Sequence, residues 1–489
     1  MFKSVQFPAE VQELVRLVEE TDPDRIIEAT LAKLRSGVSA KEMLRAGALA
    51  VVRSTELPPE HHGGPVHPIC GIHAVYHTSQ RLSGELAYVP IVQHTALCNN
   101  HIHSPQMGPY IMPEIEAMEG SASEVGSFHL SDAYLTGDLA PKGGVKDSLG
   151  DTQEAFLKSI RAKKPSAAEH YVLWLLEHLS PGEVLDLMMP TSISRNNMDD
   201  HYFIYPVFTA RALDCIGWEW APFLMRPAVR YLARNPSPLG VEKPLDFSTV
   251  EALLDEYRLL EIDIPLHSTD RETEAIGELG ARIGSSRDYY DTLEPIARAL
   301  ADGLSLEGAG EALSIGAATA YLSTSYGNPM DSHLHTGTNT RRYLLNMEGV
   351  SLRNKLLALL TGMTGPEVLV PEGLMNWTAN TDPETSASLP ERSQNQLLDA
   401  IGESIESQPW SDWRGIGVAN LIAPDEVKGT VALARQYSNL GYDPEVFFAK
   451  LAEINCRDDF TEMHALKHFQ ATVDEFYSTR KPFRSVHLL

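Results

Sequence analysis

The chain carries 489 residues, and its 40 Lys plus Arg face 66 Asp plus Glu, a formal net charge of −26. An acidic balance of that size offers no general attraction to phosphate backbones or anionic lipid, which argues against nucleic-acid and membrane partners. The length admits a large buried core, in two or three domains or in one large helical domain.

Apolar positions three and four residues apart predict helices over 9–20, 24–36, 40–52, 152–163, 167–179, 205–216, 246–260, 290–303, 306–322, 352–362, 394–407, 424–439, 444–454 and 460–478. The expected fold is therefore mostly α, a large multi-helix bundle with long irregular loops. It is expected to form a single helical domain over 1–489, with 1–58 as a candidate N-terminal helical extension. Pro68 suits a first helical turn, so a further helix is expected from about His67 to Leu82, with His73 and His77 on one face. Asp199 and Asp200 can cap a helix that starts near His201 and runs through Tyr205 to Cys215, with Pro206 keeping its early turns short or kinked. Two stretches, 104–150 and 363–392, are rich in Gly, Pro, Ser and acidic residues and read as long loops able to cover a cavity. Gly415-Ile-Gly417 lacks a third glycine and a preceding strand, so a Rossmann nucleotide site is not supported. The four cysteines, Cys70, Cys98, Cys215 and Cys456, show no Cys-x-x-Cys spacing, which fits a reduced compartment. The N-terminus lacks a signal-peptide core and no apolar run approaches a bilayer span, so a cytoplasmic protein is expected.

The histidines cluster. His61, His62, His67, His73 and His77 lie close together, His101 and His103 form one His-x-His, His333 and His335 a second, and His464 and His468 flank Lys467. Imidazole is the commonest protein ligand for iron, copper and zinc, and packets on separate elements are what a metal centre between helices requires. Four packets offer ligands: His67 with His73 and His77; His201; His333 with His335; and His464 with Lys467 and His468. An all-nitrogen set suits transition metals better than magnesium or calcium. Glu462 and Asp474 can add carboxylate contacts. His101-Ile-His103, expected in a loop after Asn99-Asn100, competes for a ligand role. Isolated histidines such as His129, His170, His178, His267 and His487 read as ordinary hydrogen-bonded or surface residues. A lysine at position 467 would usually be solvated. Among histidines beside a metal it must instead be deprotonated or converted into an anionic ligand such as a carbamate. Neither Gly-x-Ser-x-Gly nor a nucleophilic cysteine motif is present, and Cys70 reads as a core thiol. Trp218, Trp220, Tyr326 and Trp377 are pocket candidates for a flat substrate, with core packing as the alternative.

Taken in order, the packets resemble the questin oxidase-like family, which oxidises and opens polycyclic aromatic ketones without a flavin. The family's Glu-His, two residues, Lys element is similar to Glu462-Met463-His464-Ala465-Leu466-Lys467, with one residue inserted after Glu. The run from His333 to Leu345 resembles its His, two residues, Thr, then Arg and a Leu pair, which puts His333 rather than His335 at the ligand position. His201-Tyr-Phe-Ile-Tyr205 is similar to a His-Pro-x-x-His helix start, with Tyr205 replacing the second histidine. The stretch from His67 to Tyr76 resembles the family's histidine-rich first helix, with Cys70 and Gly71 where two more histidines commonly stand. The resemblance implies a mononuclear non-haem iron held by His67, His201, His333, His464 and a carboxylated Lys467. It leaves His73, His77 and Tyr205 as catalytic candidates.

The expectation is thus a cytoplasmic iron-dependent oxygenase taking O2 and a hydrophobic, aromatic or polycyclic small molecule through a Baeyer-Villiger-type or ring-cleaving oxidation. NADPH is the analogous external reductant, although no motif for a bound nucleotide cofactor is present. Two alternatives stand beside it: a zinc-dependent hydrolase using the same histidines with Glu462 as general base, and a non-catalytic helical binding protein.

Overall fold

The computed structural model describes residues 3–56, 64–120, 148–196, 200–234, 247–286, 290–322, 332–362, 387–407, 424–457 and 462–489. Among them the chain forms twenty α-helices and no strand, only an isolated bridge between Ser4 and Pro113. The mostly α multi-helix expectation holds. No helix among the described residues is long and apolar enough to cross a membrane. His61, His62, His129, Tyr326, Trp377 and most of the two long predicted loops lie outside the described residues.

The helices divide between two compact units. The first holds α1 (Ala9–Glu20), α2 (Ile26–Arg35), α3 (Ala40–Ser54), α4 (Val66–Arg81), α5 (Val89–His103), α6 (Ser148–Arg161), α7 (Pro165–His178), α8 (Pro181–Ser194), α9 (His201–Ile216) and α10 (Ala221–Ala233). The second holds α11 (Phe247–Glu256), α12 (Thr273–Ser285), α13 (Tyr290–Ala301), α14 (Leu306–Tyr321), α15 (Ser332–Asn346), α16 (Leu352–Leu360), α17 (Gln394–Glu406), α18 (Pro424–Asn439), α19 (Pro444–Asn455) and α20 (His464–Ser478).

Local chemistry starts many of these helices where the sequence places caps. Ser39 with Glu42, Ser180 with Glu183 and Ser393 with Gln396 form reciprocal capping boxes. Pro90, Pro165, Pro181 and Pro444 sit in first turns, where a missing N–H costs nothing.

In the first unit α3 is buried along nearly its whole length, and the ionic centre is Glu169 on α7. Its carboxylate takes Arg226 Nη2 at 2.9 Å and Arg230 Nε at 3.1 Å, while Arg226 Nη1 also donates to the Pro113 carbonyl at 2.9 Å. In the second unit α12 and α14 approach closely through small residues. A Cβ on Gly316 would come 2.4 Å from Ile283 Cγ2, and one on Gly284 would come 2.7 Å from Thr319 Cβ, so a larger residue at either position would force the helices apart.

Five helices, α5, α8, α10, α12 and α15, are absent from the sequence reading. In α5, α8 and α15 residues are buried on most sides and many are polar, so no clear apolar stripe marks the inner face. In α10 the stripe is present, but Pro222 and Pro227 interrupt the helical pattern. In α12 the stripe of Ile276, Leu279 and Ile283 is diluted by Gly277, Gly280 and Gly284. One local expectation is corrected: His101 is not in a loop but in the last turn of α5, with Nδ1 2.7 Å from the Gly64 carbonyl. Helix α9 runs from His201 past Cys215 as expected, and burial of nearly every side chain offsets the hydrogen bond that Pro206 cannot donate.

Candidate metal centre

In the first unit His67 occupies the second position of α4 and His201 the first position of α9. Side chains on a helix lean toward its N-terminus, so a ring in the first turn projects ahead of the helix rather than along its flank. The two imidazoles meet there with Nε2 atoms 3.3 Å apart and ring planes tilted by 56°. In the second unit the arrangement repeats: His333 is the second residue of α15, His464 the first of α20, and their Nε2 atoms lie 3.1 Å apart with the rings at 84°. All four histidines are buried.

That separation is chemically specific. Two nitrogens bound at ~2.0–2.1 Å to one ion lie about 3.0–3.4 Å apart as the angle between them opens from a right angle to the tetrahedral value. A shared proton needs a similar separation, so an ion can replace it with little movement of the rings. The residues present therefore fit a metal.

Backbone conformation supports the same positions. Asp200, Glu462 and Met463 adopt left-handed φ values of +54°, +51° and +69°, and they lead directly into His201 and His464. Such conformations cost about 1–3 kcal/mol each in non-glycine residues and collect where function demands them. Asp200 is held by Arg341, whose Nη1 and Nη2 donate to its two carboxylate oxygens at 2.8 and 3.0 Å, with both side chains essentially inaccessible. Gly337 makes room for this pair: a Cβ there would sit 2.3 Å from Asp200 Oδ2.

Lys467 is in the first turn of α20 and only 3% exposed. Glu462 is half-buried two residues before His464. Asp474 accepts a hydrogen bond from Gln470 Nε2 at 2.7 Å. Tyr205, one turn after His201, is fully buried and lies edge-on to Tyr231. Its hydroxyl has no hydrogen-bond partner among the described residues, and burial raises its pKa well above 10, so it stays a neutral phenol. Cys70 is fully buried, as a core thiol should be.

The remaining histidines separate from these pairs. His73 and His77 join Arg211 and Cys215 near the end of α9, roughly 15 and 21 Å along that helix from His201 at 1.5 Å per residue. His335, His468 and His487 form a ring cluster: His335 stacks on His487 with planes 4° apart, and His468 meets His335 edge-on. Desolvation pushes His335 and His468 down to about 3 and His487 to about 4, so all three are neutral. His487 was expected to be an ordinary hydrogen-bonded residue, and its Nε2 indeed pairs with Thr479 Oγ1 at 3.1 Å. His103 Nδ1 pairs with the Asn99 carbonyl and His170 Nδ1 with the Glu116 carbonyl. Arg211, Cys215 and Glu475 were not singled out from sequence; their partners lie over a hundred residues away, and no local pattern announces them.

Compared with protein-family models, curated proteins and solved structures, the chain matches none.

Proposed function

We propose that this chain is a non-haem iron oxygenase acting with O2 on a hydrophobic, aromatic or polycyclic small molecule. The observation that supports the metal is the pair of Nε2 separations, 3.3 Å for His67 and His201 and 3.1 Å for His333 and His464, each at the start of two helices. The iron, the substrate class and the part of Lys467, as a carbamate, come from the resemblance to questin oxidase-like proteins.

Charge supports an anionic ligand. Helix N-termini carry a partial positive charge, which disfavours imidazolium and keeps the ring lone pairs available, but also makes a bare dication costly beside neutral imidazoles. A carboxylated Lys467 supplies the missing negative charge and removes the expense of burying an ammonium. Iron bound by these residues would supply oxygen activation. The imidazoles would hold it, the buried surroundings would exclude water, and Tyr205 would offer a neutral O–H donor.

The test is oxygen uptake by iron-loaded protein with a panel of polycyclic aromatic ketones, with and without NADPH. Substrate-dependent uptake abolished by His333→Ala supports the reading. A preparation holding stoichiometric zinc that hydrolyses esters without oxygen overturns it in favour of a hydrolase with Glu462 as base.

A further inference from the structure

A second cluster in the first unit has a different donor set. His73 and His77 are four residues apart on α4, so they share a face, and their ring centroids are 4.4 Å apart. Cys215, in the last turn of α9, brings its Sγ to 3.9 Å from His73 Nδ1. One ligand atom from each of the three residues falls within 4.8 Å of the others. All three residues are half-buried, so an ion can enter from solvent.

We propose that His73, His77 and Cys215 form a binding site for a thiophilic transition-metal ion, zinc in the first instance, separate from the all-nitrogen ligands above. Two imidazoles and a thiolate are borderline-soft donors, which select zinc over calcium or magnesium. With bonds of ~2.0–2.1 Å to nitrogen and about 2.3 Å to sulfur, a tetrahedral ion needs its nitrogen and sulfur ligands roughly 3.6 Å apart. The His73–Cys215 separation of 3.9 Å is within a few tenths of an ångström of that value. Three protein ligands leave a fourth position for water or a small anion. The ion would tie the last turn of α9 to the middle of α4.

Arg211 sets the affinity of this site. Its Nη2 lies 2.6 Å from His73 Nε2. A guanidinium can only donate, so Nε2 is the acceptor and the His73 proton sits on Nδ1, the nitrogen facing Cys215. Binding at Nδ1 displaces that proton, and binding at Nε2 displaces Arg211. On either route the guanidinium competes with the incoming cation. Arg211→Gln should therefore tighten binding by about ten-fold.

Cobalt reports this site directly, because sulfur-to-cobalt charge transfer absorbs in the near ultraviolet and all-nitrogen ligands give no such band. The full chain is titrated with Co2+ and then with competing Zn2+, in wild type, Cys215→Ser, Arg211→Gln and His464→Ala, with circular dichroism confirming the fold of each. The expected result is a charge-transfer band from one cobalt per chain, bleached by zinc, abolished in Cys215→Ser, reached at lower cobalt in Arg211→Gln and intact in His464→Ala. No band in the wild type, or a band that survives in Cys215→Ser, overturns the proposal. Because His464→Ala should leave the band intact while removing the iron site, the two sites can fail independently.

Discussion

Helices α15 and α20 carry two histidine groups that differ in what their rings present to each other. At the first turns, His333 and His464 aim nitrogen at nitrogen, 3.1 Å apart. Further along, His335 and His468 meet ring to ring, and His335 lies parallel to His487 at a centroid distance of 5.2 Å. The same residue type, two residues apart on one helix and four on the other, thus yields a ligand geometry and a packing geometry. Convergent lone pairs bind a cation, whereas stacked faces do not. The number of histidines in a motif says little until their direction is known.

The difference predicts that substitutions in the two groups have opposite consequences. The largest effect on stability should come beside the stack, at Glu475, which accepts from Asn339 Nδ2 at 2.7 Å and pairs with Arg342. Glu475→Ala should cost about 3 kcal/mol by stranding a largely buried guanidinium, measured by urea denaturation, with metal affinity unchanged. At the nitrogen pair, His464→Ala should weaken metal binding by about a hundred-fold or more, read by competition with a chelator, while stability without metal changes by less.

The stack should also show itself through pH. His335, His468, His487 and the buried His94, itself lowered to about 4, are neutral in the folded chain. Unfolded, each takes up a proton below about pH 6.5. Stability present above that pH is therefore lost as the pH falls toward 4, by up to about 1.4 kcal/mol per pH unit for each histidine. Denaturation at pH 7 and pH 5 should show His487→Phe flattening that slope by the share of one group. An unchanged slope would mean that His487 titrates alike in the folded and unfolded chain. The smallest effect should be that of Tyr205→Phe, which removes a buried hydroxyl lacking a partner among the described residues and should change stability by less than about 1 kcal/mol in either direction. A fall in substrate oxidation without a fall in metal content would give Tyr205 a catalytic role.

Much of this was readable from residue pattern. The amphipathic helices α1, α3, α6 and α13 follow their apolar spacing, and His67, His201, His333 and His464 belong to recognisable histidine packets. What pattern could not supply is tertiary. Helix α15 is largely a run of His, Thr, Asn and Arg whose described side chains are mostly buried, so its few apolar residues do not mark an inner face. His73 and His77 look like members of the His67 packet from spacing alone, and only the packing of α4 on α9 assigns them to Arg211 and Cys215. The left-handed lead-ins at Asp200, Glu462 and Met463 carry no glycine to mark them.

The contrast between the two histidine groups is tested most directly by iron content, measured by plasma mass spectrometry on protein produced with iron supplementation, in wild type, His464→Ala and His335→Phe. Near one iron per chain in the wild type and in His335→Phe, with none in His464→Ala, is the expected pattern. Equal iron in all three, or none in any of them, would contradict the assignment of the nitrogen-facing histidines as metal ligands.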